Sequence, residues 1–391
     1  MRVAGSANPD FPLVAPPSPC SLPPAGESSR GVLGRLSAWR DRTLASPDFR
    51  AWAARFPLTR PIARRRSRAL FDLCAGFAYS QILQTCVSLD LFTILHGGPR
   101  TPTVLSTQIG LTPERTERLC EAAAGLKLLR RRGEAYGLGP LGAAMVGNDG
   151  VAAMVRHHAI LYRDLGDPVA LFRADKGGTG LAAYWPYGAT ADPAHLGAAD
   201  IADYSALMAD SQPLVAAEIL AAYDVGKHRC LLDIGGGEGA FLEQAAARAP
   251  DLALRLFDLP PVAARAAARL GARVTATGGD MRRDALPTGA DLLTLVRVIH
   301  DHDDSAAMDI LRAARAATPP DGTLLLAEPM LDAPGAEPVG AYFILYLLAL
   351  GSGRPRRQAE LTAMLNAAGF SRVRPLRTGN PLITSLLVAQ P

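Results

Sequence analysis

The sequence predicts an α/β protein whose mostly parallel sheet ends in an antiparallel hairpin, preceded by an all-helical N-terminal domain of winged-helix order. Three observations carry this. From residue 230 onward short apolar runs alternate with Ala-rich helical stretches, the spacing of parallel strands joined by helical crossovers. Near the C-terminus two strand-like runs are joined only by Arg377-Thr378-Gly379-Asn380-Pro381-Leu382, too short a link for a parallel crossover. Between Thr101 and Leu138 the order is helix, glycine turn, helix, basic patch and short strand.

At 391 residues the chain exceeds the usual single-domain size, and 49% apolar content supports a sizeable core. Residues 1–30 are rich in Pro, Ser, Gly and Ala, cannot repay the entropy of ordering, and read as a disordered tail. Residues 1–70 hold twelve arginines against Asp10, Glu27, Asp41 and Asp48, so this arm is +8 in a chain of net +4. Its run Arg64-Arg65-Arg66, with Arg60 and Arg68 beside it, reads as an anionic contact or as a solvated helix face.

The apolar pattern of Ala69 to Leu95 predicts a buried helix ending at His96-Gly97-Gly98. A short helix then leads through Ile109-Gly110-Leu111-Thr112-Pro113 into a longer one bearing Arg118, Leu119, Ala122 and Leu126. Arg130-Arg131-Arg132-Gly133 and Ala135 to Leu138 complete the winged order, so residues 31–150 form the N-terminal domain. Residues 151–205 add connecting helices with His157, His158, Tyr162 and Phe172, and a loop with Tyr184, Trp185 and Tyr187. A helix from Tyr204 to Tyr223 opens the catalytic domain, residues 206–391. Its predicted strands are Cys230 to Ile234, Ala253 to Asp258, Arg273 to Thr277, Asp291 to Ile299 and Gly322 to Glu328, then Val373 to Leu376 and Ile383 to Val388. The longest apolar run, Ala341 to Leu350, is too short to cross a bilayer. Five scattered cysteines read as buried free thiols, and the chain is expected in the cytoplasm.

The turn Asp233-Ile234-Gly235-Gly236-Gly237-Glu238-Gly239 closes the first strand of the sheet, where glycines let the backbone approach a ligand closely. Alone it is ambiguous, because Gly235, Gly237 and Ala240 also fit a dinucleotide fingerprint and Asp258 stands where a ribose-binding acid would. Glu238 favours a cationic ligand, since a carboxylate at this helix N-terminus would repel a pyrophosphate. Gly279-Asp280-Met281 after the third strand offers an acceptor for an adenine amino group and a side chain to lie on the ring. The implied cofactor is S-adenosyl-L-methionine, with a site drawn from Asp233, Gly235, Gly237, Asp258, Leu259, Asp280, Met281 and Arg297.

At the end of the fourth strand stands Val296-Arg297-Val298-Ile299-His300-Asp301-His302-Asp303-Asp304. No metal is expected, because Asp303 and Asp304 directly precede a helical run and read as N-cap acids. His300, at the strand edge where ligands gather in open sheets, is the candidate general base. Glu328, ending the fifth strand, is the candidate partner that holds its tautomer, and His302 is expected to cap or pack.

With GGGxG at 235–239, FDLP at Phe257 to Pro260, GDM at Gly279 to Met281, RVIHDHDD at Arg297 to Asp304 and AAGF at Ala367 to Phe370, the chain resembles the plant-type small-molecule O-methyltransferases over roughly residues 67 to 391. The resemblance implies a class I, Rossmann-like methyltransferase domain, a winged-helix dimerisation domain, and a homodimer. It implies that His300 takes the hydroxyl proton and that Asp258 and Asp280 bind ribose and adenine. It also implies a second glutamate flanking the base, where this chain departs with Pro355 in Gly353-Arg354-Pro355-Arg356-Arg357. Leu58 to Arg64, Ala69 to Phe77 and Arg156-His157-His158 resemble the acyclic-carotenoid hydroxyl O-methyltransferases of purple phototrophic bacteria, the demethylspheroidene or hydroxyneurosporene type. That likeness implies a hydrophobic hydroxylated substrate in carotenoid biosynthesis for photosynthesis, substrate-lining by Met208, Tyr342, Phe343 and Tyr346, and peripheral contact of the basic arm with the inner membrane. Methylation of an aromatic polyketide or other phenol is the alternative. A winged-helix DNA-binding regulator is the third reading, disfavoured because the second helix of the winged module offers only Arg115 and Arg118, so no nucleic-acid partner is expected.

Overall fold

The computed structural model describes residues 32–174, 178–184, 211–335 and 337–391. The tail expected over 1–30, together with Trp185, Tyr187, Met208 and the start of the helix expected from Tyr204, lies outside the described residues. The chain divides into two compact units, one reaching Ala78 and one from Tyr79 to Pro391.

The first unit holds α1 (Val32–Ala45), α2 (Pro47–Arg55) and the beginning of α3 (Arg60–Ser88). Ser46 caps α2 by accepting from the Phe49 amide, and Pro47 is preset for the first turn. The buried helix expected over Ala69 to Leu95 needs two corrections. The helix stops at Ser88, and Asp90, left-handed at φ 52°, breaks it from α4 (Leu91–His96). Leu70, Phe71, Leu73 and Phe77 are 63–81% exposed, and burial in α3 is confined to Cys86 and Val87. An apolar face marks a surface to be covered without saying by which chain, so its sequence pattern read as internal core. Cys74 on this helix is likewise exposed, whereas Cys86 and Cys120 are buried, which corrects the expectation of uniformly buried thiols.

In the second unit the winged module is α5 (Pro102–Ile109), α6 (Pro113–Gly125), β1 (Leu129–Arg132) and β2 (Ala135–Leu138). Thr101 and Thr112 cap the two helices, and Gly110 ends the first with φ 70°. The strands pair antiparallel around Gly133, and Tyr136 packs into a core with Leu91, Phe92, Leu95 and Leu105. Then follow α7 (Pro140–Ala143), α8 (Asp149–Asp164), α9 (Pro168–Arg173) and α10 (Gly180–Tyr184). The Asp164 carboxylate starts α10 by accepting from the amides of Gly180 at 2.7 Å and Leu181 at 2.8 Å.

Residues 211–222 are helical, here α11. The domain continues as β3 (Cys230–Ile234), α12 (Ala240–Arg248), β4 (Ala253–Asp258), α13 (Pro260–Leu270), β5 (Val274–Gly278), β6 (Leu292–Val296), α14 (Asp304–Ala317), β7 (Thr323–Glu328), α15 (Glu337–Leu350), α16 (Gln358–Ala367), β8 (Arg372–Leu376) and β9 (Ser385–Gln390). The sheet order is β5-β4-β3-β6-β7-β9-β8, parallel through β7 and antiparallel at β9 and β8. Every residue of β6 and β7 is buried, as a sheet covered by helices on both faces requires. The strand order reverses between β3 and β6, and a ligand crevice forms beyond the C-terminal ends of strands at such a switch point.

The strand expected to reach Ile299 ends at Val296. Arg297 turns left-handed at φ 58°, and the amides of Val298 and Ile299 bond to the Glu328 carboxylate instead of a neighbouring strand. A sequence pattern reports that these residues are buried, and cannot report that a side chain takes their backbone bonds.

Candidate active site

At the switch point Gly235, Gly237 and Gly239 have φ of 67°, 58° and 79°, a region L side chains rarely enter. A Cβ on Gly235 would lie 2.8 Å from Val298 Cγ2 and 3.3 Å from Met281 Cε, so the turn is pressed between the loops after β5 and β6. Nothing lies within 4 Å of a Cβ on Gly237, whose backbone faces open space. Asp258, ending β4, ties the turn down: Oδ2 accepts from the Gly237 amide at 2.8 Å and Oδ1 from the Leu259 amide at 2.7 Å. Burial pushes its carboxyl up to about 6 against those two bonds.

Asp233 sits underneath the turn. Its Oδ1 accepts from Thr294 Oγ1 at 2.6 Å, and a Cβ on Gly236 would stand 2.5 Å from Oδ2. Burial pushes this carboxyl up to about 7, opposed by the Thr294 bond. Asp280 is held by Arg282, whose Nη2 donates at 2.8 Å and whose amide donates at 3.0 Å. Burial alone would raise it, and the arginine outweighs burial to hold it below the usual carboxylate range. Glu238 requires a correction to the sequence argument: its carboxylate is engaged by the Arg265 guanidinium of α13, so it is not a free negative charge aimed at a ligand. No spacing rule links Glu238 to an arginine 27 positions away.

The second half of the site grows from β6 and β7. Beyond Arg297 the chain forms a 3-10 turn, Ile299–Asp301, with His300 only 6% exposed. Glu328, 2% exposed, accepts from the amides of Val298 at 3.0 Å and Ile299 at 2.7 Å through Oε1, and its Oε2 lies 2.5 Å from His300 Nδ1. The other ring nitrogen, Nε2, is 3.2 Å from Asp301 Oδ1. Burial opposes the imidazolium charge, but Asp301 and Glu328 overcome it and raise the basicity of His300, with Arg297 opposing them. Arg297 reaches away to donate to Ser211 Oγ at 2.8 Å. His302 is pushed down to about 4 by burial and by Arg282, so it is neutral and packed.

Three of the residues expected to line the substrate site lie on α15. The Phe343 ring stands edge-on to His300 at 5.5 Å, and Tyr342 and Tyr346 stack at 5.6 Å. The tyrosine hydroxyls pair with histidines of α8, Tyr342 with His158 Nε2 at 2.9 Å and Tyr346 with His157 Nε2 at 3.0 Å. Burial, reinforced by His158, pushes His157 down to about 4, so it is neutral in this aromatic cluster. The fourth, Met208, lies outside the described residues.

Several functional neighbours have no spacing signal: Asp301 against the imidazole, Thr294 beneath the turn, and the histidine–tyrosine pairs bridging some 185 positions. The resemblance implies a second glutamate near Pro355; the carboxylates that the structure sets against the imidazole are those of Glu328 and Asp301. Asp303 and Asp304 correct a further expectation. Asp303 occupies the N-cap position of α14 without a side-chain capping bond, and both acids bond to the segment after α15.

Fold and site together define a class of protein, the S-adenosylmethionine-dependent methyltransferases. Within it, the chain belongs to the O-methyltransferase family: an O-methyltransferase domain matches residues 162–371 and an O-methyltransferase dimerisation domain residues 71–148. It is 42% identical over 340 residues to Demethylspheroidene O-methyltransferase of Rhodobacter capsulatus, covering 86% of this chain and 85% of that one. To the enzyme of the same name from Cereibacter sphaeroides it is 40% identical over 380 residues, covering 94% and 97%. The fold matches that of human N-acetylserotonin methyltransferase in complex with SAM, with a TM-score of 0.70 at 23% identity over 83% of this chain and 97% of that one.

Proposed function

We propose that this O-methyltransferase methylates a hydroxyl of an acyclic carotenoid of the demethylspheroidene or hydroxyneurosporene type, with His300 as general base. The observation that carries the substrate class is identity of 40% or more, over most of the chain, to two enzymes named for demethylspheroidene. The donor site fits S-adenosylmethionine: open space above Gly237 leaves room for a ligand against the turn, and Asp258 is an acceptor for ribose hydroxyls. Leu259 and Met281 supply apolar contact, Asp280 an acceptor for the adenine amino group, and Asp233 supports the turn from beneath, while Arg297 acts through the backbone bend that it makes after β6. When bound, the donor supplies an electrophilic methyl group on a sulfonium.

An alkyl alcohol is far less acidic than imidazolium, so His300 cannot ionise the acceptor in advance. Nε2 must receive the proton while the new C–O bond forms, and Glu328 at Nδ1 stabilises the imidazolium as charge develops. The larger acceleration comes from alignment of the reacting atoms in a dry pocket. Phe343, Tyr342 and Tyr346 give that pocket an apolar wall whose polar tips are already satisfied by His157 and His158.

The dimerisation domain makes the working form a homodimer, with the apolar face of α3 offered for pairing. The basic arm is assigned to peripheral contact with an anionic membrane, where a polyene resides. Trp39, Trp52, Leu58 and Ile62 are exposed on it among the exposed Arg40, Arg50, Arg55 and Arg64 to Arg66, and no described helix is long and apolar enough to cross a bilayer. Salt-sensitive sedimentation with anionic but not zwitterionic vesicles, lost on replacing Arg64 to Arg66 by Glu, is expected; equal sedimentation with both vesicle types refutes the assignment.

The substrate is tested by incubating purified protein with methyl-labelled donor and either acyclic hydroxycarotenoids or phenols. Label in the carotenoid is expected. Label in the phenol alone overturns the substrate class.

A further inference from the structure

Arg356 is a buried guanidinium, 2% exposed. Its Nη1 donates to the Ile299 carbonyl at 2.7 Å, and its Nη2 to the His302 carbonyl at 2.8 Å and to Asp304 Oδ1 at 2.7 Å. The two carbonyls flank His300. One planar fork therefore spans the turn that carries the base, and Glu328 Oε1 holds the same turn by its amides. The neighbouring residues hold the same segment, one through its backbone and two through its carboxylates. Ser352 Oγ donates to the Asp301 carbonyl at 3.0 Å, the Gly353 amide to Asp303 Oδ1 at 3.1 Å, and Arg354 to Asp304 at 3.1 Å. Gly353, with φ 75°, lies so close to the His300 carbonyl that a Cβ would overlap it.

A buried charge is costly unless its hydrogen-bonding capacity is met, and here it is met by the two turn carbonyls together with the Asp304 carboxylate, which accepts from both Nε and Nη2. Arginine suits that task because its donors point in fixed, divergent directions in one plane, whereas a lysine ammonium is a point charge on a flexible stem. We propose that Arg356 is a positioning residue for His300: it fixes the backbone from Ile299 to His302 so that the imidazole stays in line with Glu328. Pro355 brings no carboxylate to the ring, and the segment that contains it constrains the base through its main chain instead. The inference rests on His300 being the base.

The test compares Arg356→Lys, Asp304→Ala and, as a control on that premise, His300→Ala, using the full-length protein and an acceptor that the wild type methylates. A displacement of about 1 Å costs about 100-fold in rate, so Arg356→Lys is expected to lower kcat by about that factor, with acceptor KM and S-adenosylhomocysteine affinity unchanged. Asp304 is itself largely exposed but is the carboxylate partner of the buried guanidinium, so its loss should lower Tm somewhat and lower kcat less than Arg356→Lys, in the same direction. The acid limb of the kcat profile should move to lower pH in both. Burial opposes the charge on His300, Asp301 and Glu328 outweigh burial, Arg297 opposes them, His302 is neutral, and α15 sets the Phe343 ring against the imidazole with Tyr342 and Tyr346 beside it. Wild-type kcat with an unmoved limb in either folded variant overturns the proposal, and so does a kcat loss that follows a fall in Tm while the limb stays in place. If Arg356→Lys does not fold, Asp304→Ala decides. If His300→Ala keeps wild-type kcat, the base assignment fails; if it collapses while both other variants behave as wild type, only the role of Arg356 does.

Discussion

Replacing Glu328 by Gln removes one charge from the site while conserving its shape. The amide oxygen can still accept from Val298 and Ile299, which leaves the turn in place, but the group facing His300 Nδ1 becomes a donor or a neutral acceptor. Losing a hydrogen bond to a charged partner removes about 1.5–3 kcal/mol of stabilisation from the imidazolium, which is about 10- to 150-fold in rate. If the amide presents its N–H, Nδ1 must become the acceptor and the proton moves to Nε2, the atom that has to receive the substrate proton. A comparable tautomer inversion in a serine protease triad costs about 10⁴. We therefore expect kcat to fall between about 10- and 10⁴-fold, with donor affinity intact. Single-turnover transfer of a labelled methyl group at saturating donor, followed across pH, is the assay. His300 must be neutral to act and its basicity is raised in the fold, so wild-type turnover is lost as pH falls through a value above the ordinary imidazole value of about 6.5. In the variant this limb should shift downward. Wild-type kcat with the limb unmoved would refute the role given to Glu328.

Asp258→Ala should weaken S-adenosylhomocysteine binding by about 10- to 150-fold, the worth of a charge-assisted hydrogen bond; calorimetry showing unchanged affinity contradicts the donor assignment. Because this carboxyl is pushed up to about 6, donor affinity should decline as pH falls through that value in the wild type and lose that dependence in the alanine variant. Gly236→Ala places a methyl 2.5 Å from Asp233 Oδ2 and should lower Tm by several degrees, read by thermal melting; an unchanged Tm would show that Asp233 can move aside. Tyr346→Phe leaves His157 Nε2 buried without its partner and should destabilise the protein by about 1–3 kcal/mol in denaturant titration.

The sheet was legible because the central parallel strands are short, largely apolar runs punctuated by an acid or a glycine turn, and the seven predicted strands are found in place within a few residues at each boundary. His300 and Glu328 could be paired in advance because β6 and β7 are neighbours, so the turn that follows β6 lies beside the end of β7. What periodicity could not show was bonding between side chains and backbone. Glu328 takes two amides and so shortens β6, Asp303 and Asp304 serve the segment after α15 rather than capping α14, and Glu238 is neutralised by Arg265. Burial of Arg356 was equally hidden, because Arg354, Arg356 and Arg357 look alike in sequence and only one of them is enclosed. The face of α3 was misread because hydrophobicity is blind to whether the covering surface belongs to the same chain.

The central claim is that His300 takes the proton from the acceptor hydroxyl as the methyl group transfers. Its most direct test is turnover of an acyclic hydroxycarotenoid by His300→Ala, measured beside calorimetric binding of S-adenosylhomocysteine to the same preparation. General-base catalysis contributes about 10²–10⁴-fold, so turnover should fall by that range while donor affinity matches the wild type. Undiminished turnover in a variant that binds donor normally would contradict the account.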